Sequence, residues 1–146
     1  MGVYRKLLDV NAACRALRNI RRLLIYGTCV RDEHPWAYSE LSKGRVPLAV
    51  CMEEVHFNMV ALKLASMLAR VDVEEVVVLT VDGSPHCVQL HMVVEEVEKV
   101  LGRRVNRRHY VVEGGELIEV PRECVKTARY LSKILRLLSG GAGAGI

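Results

Sequence analysis

A chain of 146 residues, 51% hydrophobic and 26% charged, amounts to one domain with enough apolar mass for a real core. At this length folding buries roughly 70% of the unfolded surface, so neither disulfides nor a metal is needed merely to fold. The net charge of +4 is modest, and one Phe and one Trp supply no base-stacking platform, which sets nucleic acid aside as a partner; no apolar run reaches the length of a membrane span.

Residues 4–20 read as a first helix, with Leu7, Val10, Cys14 and Leu17 on one stripe and arginines opposite. The run 23–26 is a short buried strand ending in Gly27-Thr28-Cys29. The polar stretch 30–45 holds His34, Pro35, Trp36 and Tyr38, with one short helix over 39–43. Residues 46–50 form a second strand that runs into Cys51 and a helix over 53–70, with Val55, Met59, Leu62 and Leu68 facing inward. The β-branched run 76–81 has the composition of a strand buried on both faces of a parallel sheet. In Asp82-Gly83-Ser84-Pro85, Ser84 suits the N-cap and Pro85 the first position of a helix continuing to about Leu101.

Two short β runs, 110–112 and 117–120, flank Glu113-Gly114-Gly115-Glu116, a hairpin signature. A last helix is expected from about Arg122 to Leu138. The expected architecture is therefore α/β: a three-layer Rossmann-like sandwich, mainly parallel, with an edge hairpin near 108–120. One domain spans 1–139, and a Gly/Ala tail, 140–146, is expected to be disordered. Arginines cluster at Arg15, Arg18, Arg21 and Arg22 and again at Arg103, Arg104, Arg107 and Arg108, read as solvated faces balanced by glutamates. With no signal-peptide pattern at the start, the expected address is cytoplasmic, where cysteines are reduced, ligating or catalytic. A single Gln and many Val, Arg and Glu are a thermophile's balance.

The five cysteines sort into two kinds. Cys14 belongs to the first helix's apolar stripe and Cys124 heads a similar one, with Ala128, Leu131, Leu135 and Leu138, and both read as core packing. Cys29, Cys51 and Cys87 instead follow three strands, and in an open parallel sheet the strands' carboxyl ends border the ligand crevice. Cys87 lies in the first turn of its helix, where the dipole favours a thiolate, and His91 is one turn further on. Three thiolates with His91 or His86, or with Asp82 or water, make four ligands for zinc or an iron–sulfur cluster. His34 and His56 each follow a cysteine by five residues, and Trp36 and Tyr38 are placed to shield the site.

Thr28-Cys29 after the first strand, Ala49-Val50-Cys51-Met52-Glu53 after the second, and Asp82-Gly83-Ser84-Pro85-His86-Cys87 after the third carry a resemblance over residues 23–91. This layout resembles the small iron–sulfur (delta) subunit of methyl-viologen-reducing hydrogenases. It also resembles short archaeal cysteine-containing Rossmann-like proteins with a Val-Asp-Gly-Ser-Pro-His-Cys turn. The resemblance implies a cluster that passes electrons between protein partners. Where that family's third turn carries two cysteines this chain has Cys87 alone, so His86 or His91 has to substitute.

The expected function is thus metal or iron–sulfur cluster binding in a redox role. The ligands would be Cys29, Cys51 and Cys87 with His91 or His86, and the partner a redox protein; self-association is left open. The alternative is a small-molecule protein or enzyme holding an anion or phosphate on Gly83, Ser84, His86 and Cys87, with Cys87 or His86 reactive. The chain lacks Gly-x-Gly-x-x-Gly, the Walker lysine and the Gly-x-Ser-x-Gly elbow, so it carries no standard nucleotide or serine-hydrolase motif. A regulatory or scaffold protein without chemistry is the third option.

Overall fold

The structure, a computed structural model, describes residues 4–142. A five-stranded sheet in the order β2-β1-β3-β4-β5 is formed by β1 (Arg22–Gly27), β2 (Val46–Val50), β3 (Glu75–Val81), β4 (Arg107–Glu113) and β5 (Glu116–Val120). The first four strands are parallel, and β5 returns antiparallel on β4. At the β4–β5 turn Gly114 and Gly115 have φ of 59° and 80°, so both central residues are left-handed, as a tight hairpin matching the strand twist requires.

Side chains alternate across the sheet, and the two faces build two cores. Leu23, Ile25, Val76 and Val78 point to one face, where they meet Leu17 of α1 (Arg15–Ile20), Val60 and Leu64 of α4 (Phe57–Arg70), and Leu90 and Val94 of α5 (Pro85–Leu101). Leu24, Tyr26, Val77 and Leu79 point to the other, packing on Val30 of α2 (Thr28–Glu33) and on Ala37 and Leu41 of α3 (Pro35–Ser42). The three-layer Rossmann-like sandwich expected from the alternation of strands and helices is therefore the fold. Among the described residues no helix is long and apolar enough to cross a membrane.

The chain start departs from the expected helix over 4–20. Arg5 and Lys6 lie alongside β2, with the Ala49 N–H donating to the Arg5 carbonyl at 2.8 Å, and Lys6 pairing with Ala49. A single 3₁₀ turn (Leu7–Asp9) follows. The Asn11 side chain accepts from the Ala13 N–H at 2.8 Å, closing a local turn in competition with a helix, and Cys14 is extended, so α1 begins only at Arg15. Leu7 and Leu17 are nonetheless fully buried, and Val10 and Cys14 pack on the same core. The apolar stripe was a true core signal carried by a bent segment.

Residues 30–45 hold two helices, α2 and α3, where one short helix was expected; they share His34 as C-cap and N-cap. The segment before α4 turns on Cys51, whose carbonyl accepts from the N–H groups of Glu54 and Val55, so that helix starts at Phe57 rather than 53. Its buried residues are Val60, Leu64, Met67 and Leu68, while Met59 and Leu62 face solvent, a shift of phase from the expected stripe. The last helix is two: α6 (Arg122–Ala128) and α7 (Leu131–Ala142), broken at Arg129 and Tyr130. Arg129 is held there by Glu95 at 2.6 Å and Glu96 at 3.2 Å. The stripe assigned to Cys124 is not core: Cys124, Leu131, Leu135 and Leu138 are exposed. The helix runs into the Gly/Ala tail as far as Ala142; the rest of that expectation, 143–146, lies outside the described residues.

Candidate functional site

β1 sits between β2 and β3, so the chain leaves β1 to one side and the β2–β3 crossover brings it back to the other. Such a reversal of strand order opens a crevice beyond the carboxyl ends of the strands. Register aligns those ends: Gly27 faces Val50, and Tyr26 faces Leu79, which places Thr80 beside Gly27. A side chain at Gly27 would come within 4.0 Å of Thr80 Cγ2.

A cavity of about 250 Å³ occupies this point, and Cys29, Cys51 and Cys87 all line it. Its walls come from the first turn of α2 directly after β1 (Thr28, Cys29, Val30), the turn after β2 (Cys51, Met52, Glu53) and the start of α5 (Ser84, His86, Cys87), with Thr80 and Leu90 between them. Three segments remote in sequence thus bring their thiols to one cavity, while Cys14 and Cys124 lie elsewhere. Cys29 is exposed, and Cys51 and Cys87 are half-buried.

The start of α5 is built as its sequence dictates. Gly83, at φ 105°, takes the chain out of β3 through a backbone shape that side chains disfavour. Ser84 is extended, and its hydroxyl accepts from the His86 N–H at 3.2 Å. The Ser84 carbonyl accepts from the N–H groups of Cys87 and Val88. Pro85 has no N–H, so Ser84 occupies the first-turn donors and no ready-made phosphate cradle is left open there. On the expected anion site of Gly83, Ser84, His86 and Cys87, the helix dipole and the side chains are thus what can favour negative charge.

The thiolate expected at Cys87 is not what its surroundings favour. Burial pushes its thiol above the usual value, outweighing the hydrogen bonding from Ser84, the Val81 backbone and Thr80 that lowers it, and the neighbouring Cys29 raises it further. Desolvation wins over the dipole, so the resting group is a thiol.

His91 is not a free ligand. It is 6% exposed, with Nε2 2.8 Å from Thr80 Oγ1 and Nδ1 2.9 Å from His109 Nδ1, so both ring nitrogens are engaged inside the molecule. His86 does line the cavity, and its Nδ1 stands 3.5 Å from Glu53 Oε1 across the mouth. Neither His34 nor His56 lines the cavity: His34 joins α2 to α3, its ring centroid 6.3 Å from that of Trp36, and His56 precedes α4. Tyr38 packs on Tyr26 with ring centroids 4.8 Å apart, and neither it nor Trp36 lines the crevice they were expected to shield. Asp82 is exposed and outside it. Among the described residues no three His, Cys, Asp or Glu side chains are grouped as a metal ion would need.

Sequence reasoning missed His109, a buried residue of β4 that meets His91 only because β4 pairs with β3 beside α5. Its alternation with Arg107, also buried, was the available signal. The second arginine cluster is therefore not a uniform solvated face: Arg107 is enclosed with Glu98 and His109, whereas Arg108 is paired outside with Glu119 at 2.9 Å.

A family model described as a Rossmann-like domain matches residues 14–138. No curated protein and no solved structure matches the chain. The matched span takes in all five strands and the crevice at their reversal, and the chain belongs to the Rossmann-like domain family.

Proposed function

We propose that the chain binds a compact small molecule in the crevice between the ends of β1 and β3, with the thiols of Cys29, Cys51 and Cys87 as its contacting or reacting groups. The observation that carries this reading is the cavity itself, lying at the reversal of strand order where open α/β sheets take their ligands. Its about 250 Å³ suits a ligand smaller than a dinucleotide. Val30, Val50, Met52, Val81 and Leu90 give it an apolar lining, and Thr80, Ser84, His86 and the thiols give it polar points of attachment. With the first-turn donors of α5 already occupied, the ligand is held by side chains more than by a backbone phosphate cradle.

A second reading keeps the resemblance to the iron–sulfur delta subunit of methyl-viologen-reducing hydrogenases. Its support is that three thiols line one cavity. A soft metal or cluster would draw on Cys29, Cys51, Cys87 and His86, which are not gathered for it as they stand. Electron transfer to a redox partner would follow from that reading alone.

One preparation separates the two. The protein is purified anaerobically, and its heat-released supernatant is analysed for metals and by mass spectrometry. A stoichiometric organic molecule supports the small-molecule reading. Stoichiometric iron or zinc, with visible absorbance in the case of iron, supports the second. Finding neither, before or after cluster reconstitution, moves the chain to the regulatory or scaffold class.

A further inference from the structure

A line of buried side chains runs from the interior to the crevice. Arg107 Nη1 is 2.9 Å from His109 Nε2, His109 Nδ1 is 2.9 Å from His91 Nδ1, and His91 Nε2 is 2.8 Å from Thr80 Oγ1. Thr80 and His109 are each 1% exposed, and Thr80 lines the crevice.

The direction of these bonds follows from one end. A guanidinium only donates, so His109 Nε2 accepts from Arg107, and the neutral ring carries its hydrogen on Nδ1. That hydrogen is donated to His91 Nδ1, which leaves the hydrogen of His91 on Nε2, donated to Thr80 Oγ1. The hydroxyl has then accepted inside and its own hydrogen is left for the crevice, where Cys87 is its neighbour. Both rings are held neutral, His91 at about 4 by burial, and His109 at about 3 by burial, by the adjoining His91 and by the charges of Arg107 and Arg122. The charged groups around the line are these: Arg107 and Arg122 both meet Glu98 of α5, at 3.4 and 3.1 Å; Glu95, buried on the same helix and paired with Arg129 at 2.6 Å, also acts on Arg107; and Cys87 faces Cys29 from α2.

We propose that Arg107, His109 and His91 are positioning residues that hold Thr80 as a hydrogen-bond donor into the crevice, toward the Cys87 sulfur in the free protein and toward an acceptor atom of the ligand once it is bound. The inference deepens the small-molecule reading and rests on the crevice being the site; it adds that the ligand presents an acceptor to Thr80.

The experiment is made on the ligand-free full chain, so its failure is distinguishable from failure of the crevice to bind. Long-range ¹H–¹⁵N NMR at neutral pH is expected to show His109 with its hydrogen on Nδ1 and His91 with its hydrogen on Nε2. The opposite tautomer at either ring, or a charged ring, overturns the proposal. Iodoacetamide labelling of Cys87, read by peptide mass spectrometry against Cys14 and Cys124, supplies the second measurement. Thr80→Val is expected to slow Cys87 labelling roughly three- to tenfold, and Thr80→Ser to restore it. An unchanged rate in Thr80→Val, or a rate slowed equally in Thr80→Ser, overturns it; should Thr80→Val not fold, the tautomers and Thr80→Ser still decide.

Discussion

His91 and His109 are the residues on which the interior depends most sharply on pH. In the folded chain they titrate at about 4 and about 3, against an ordinary value of 6.5. Between those limits the unfolded chain binds more protons than the folded one, so stability rises with pH there and is lost on acidification. Unfolding followed by urea is expected to show stability falling by a few kcal/mol as pH drops from about 6.5 towards 4. A His109→Leu variant is expected to start less stable but to lose less across the same range. A wild-type profile flat between pH 7 and 4 would contradict the buried neutral pair. None of this was legible in a linear reading of His91, which on a helix near Cys87 looks like a ligand. Its partner His109 comes from a strand eighteen residues on and is brought there only by tertiary pairing.

At the scale of elements, the strands and the start of α5 were the most legible, because each is specified by local chemistry. A β-branched run cannot easily be a helix, and Ser84-Pro85 stops the chain in an N-cap whatever packs around it. Ser84→Ala is expected to cost about 1 kcal/mol in urea unfolding, through the lost bond to His86. Helix phase was less legible, since α4 is apolar on more than one side and packing alone chooses which side is buried. Leu64 is fully buried and Leu62 is 73% exposed. Leu64→Ala is therefore expected to cost about 2–5 kcal/mol, and Leu62→Ala no more than about 0.5 kcal/mol. Equal losses from the two would refute the phase seen here. The break between α6 and α7 was hidden for a similar reason: Leu131, Leu135 and Leu138 keep a helical spacing with no core beneath them.

Over the whole molecule, the order β2-β1-β3-β4-β5 turns a list of cysteines into a place. Sequence put Cys29, Cys51 and Cys87 after strands; strand order makes those strands neighbours, with β1 in the middle, and the cavity collects all three. What sequence overstated was the chemistry around them. It supplied His91 as a free ligand and an activated Cys87, whereas both ring nitrogens of His91 are engaged inside the molecule and burial holds Cys87 as a thiol. The remaining site is a crevice of thiols, hydroxyls and apolar side chains, with Thr80 backed by a buried histidine pair.

The claim that this crevice is where the chain meets its ligand is tested most directly by ¹H–¹⁵N NMR of the labelled protein screened with a library of small fragments. Binding fragments are expected to shift the amides of Thr28, Cys29, Cys51, Val81 and Cys87 together, and filling the crevice with Gly27→Leu to abolish those shifts while the rest of the spectrum stays folded. Fragments that bind only elsewhere, or that bind as well to Gly27→Leu, would contradict it.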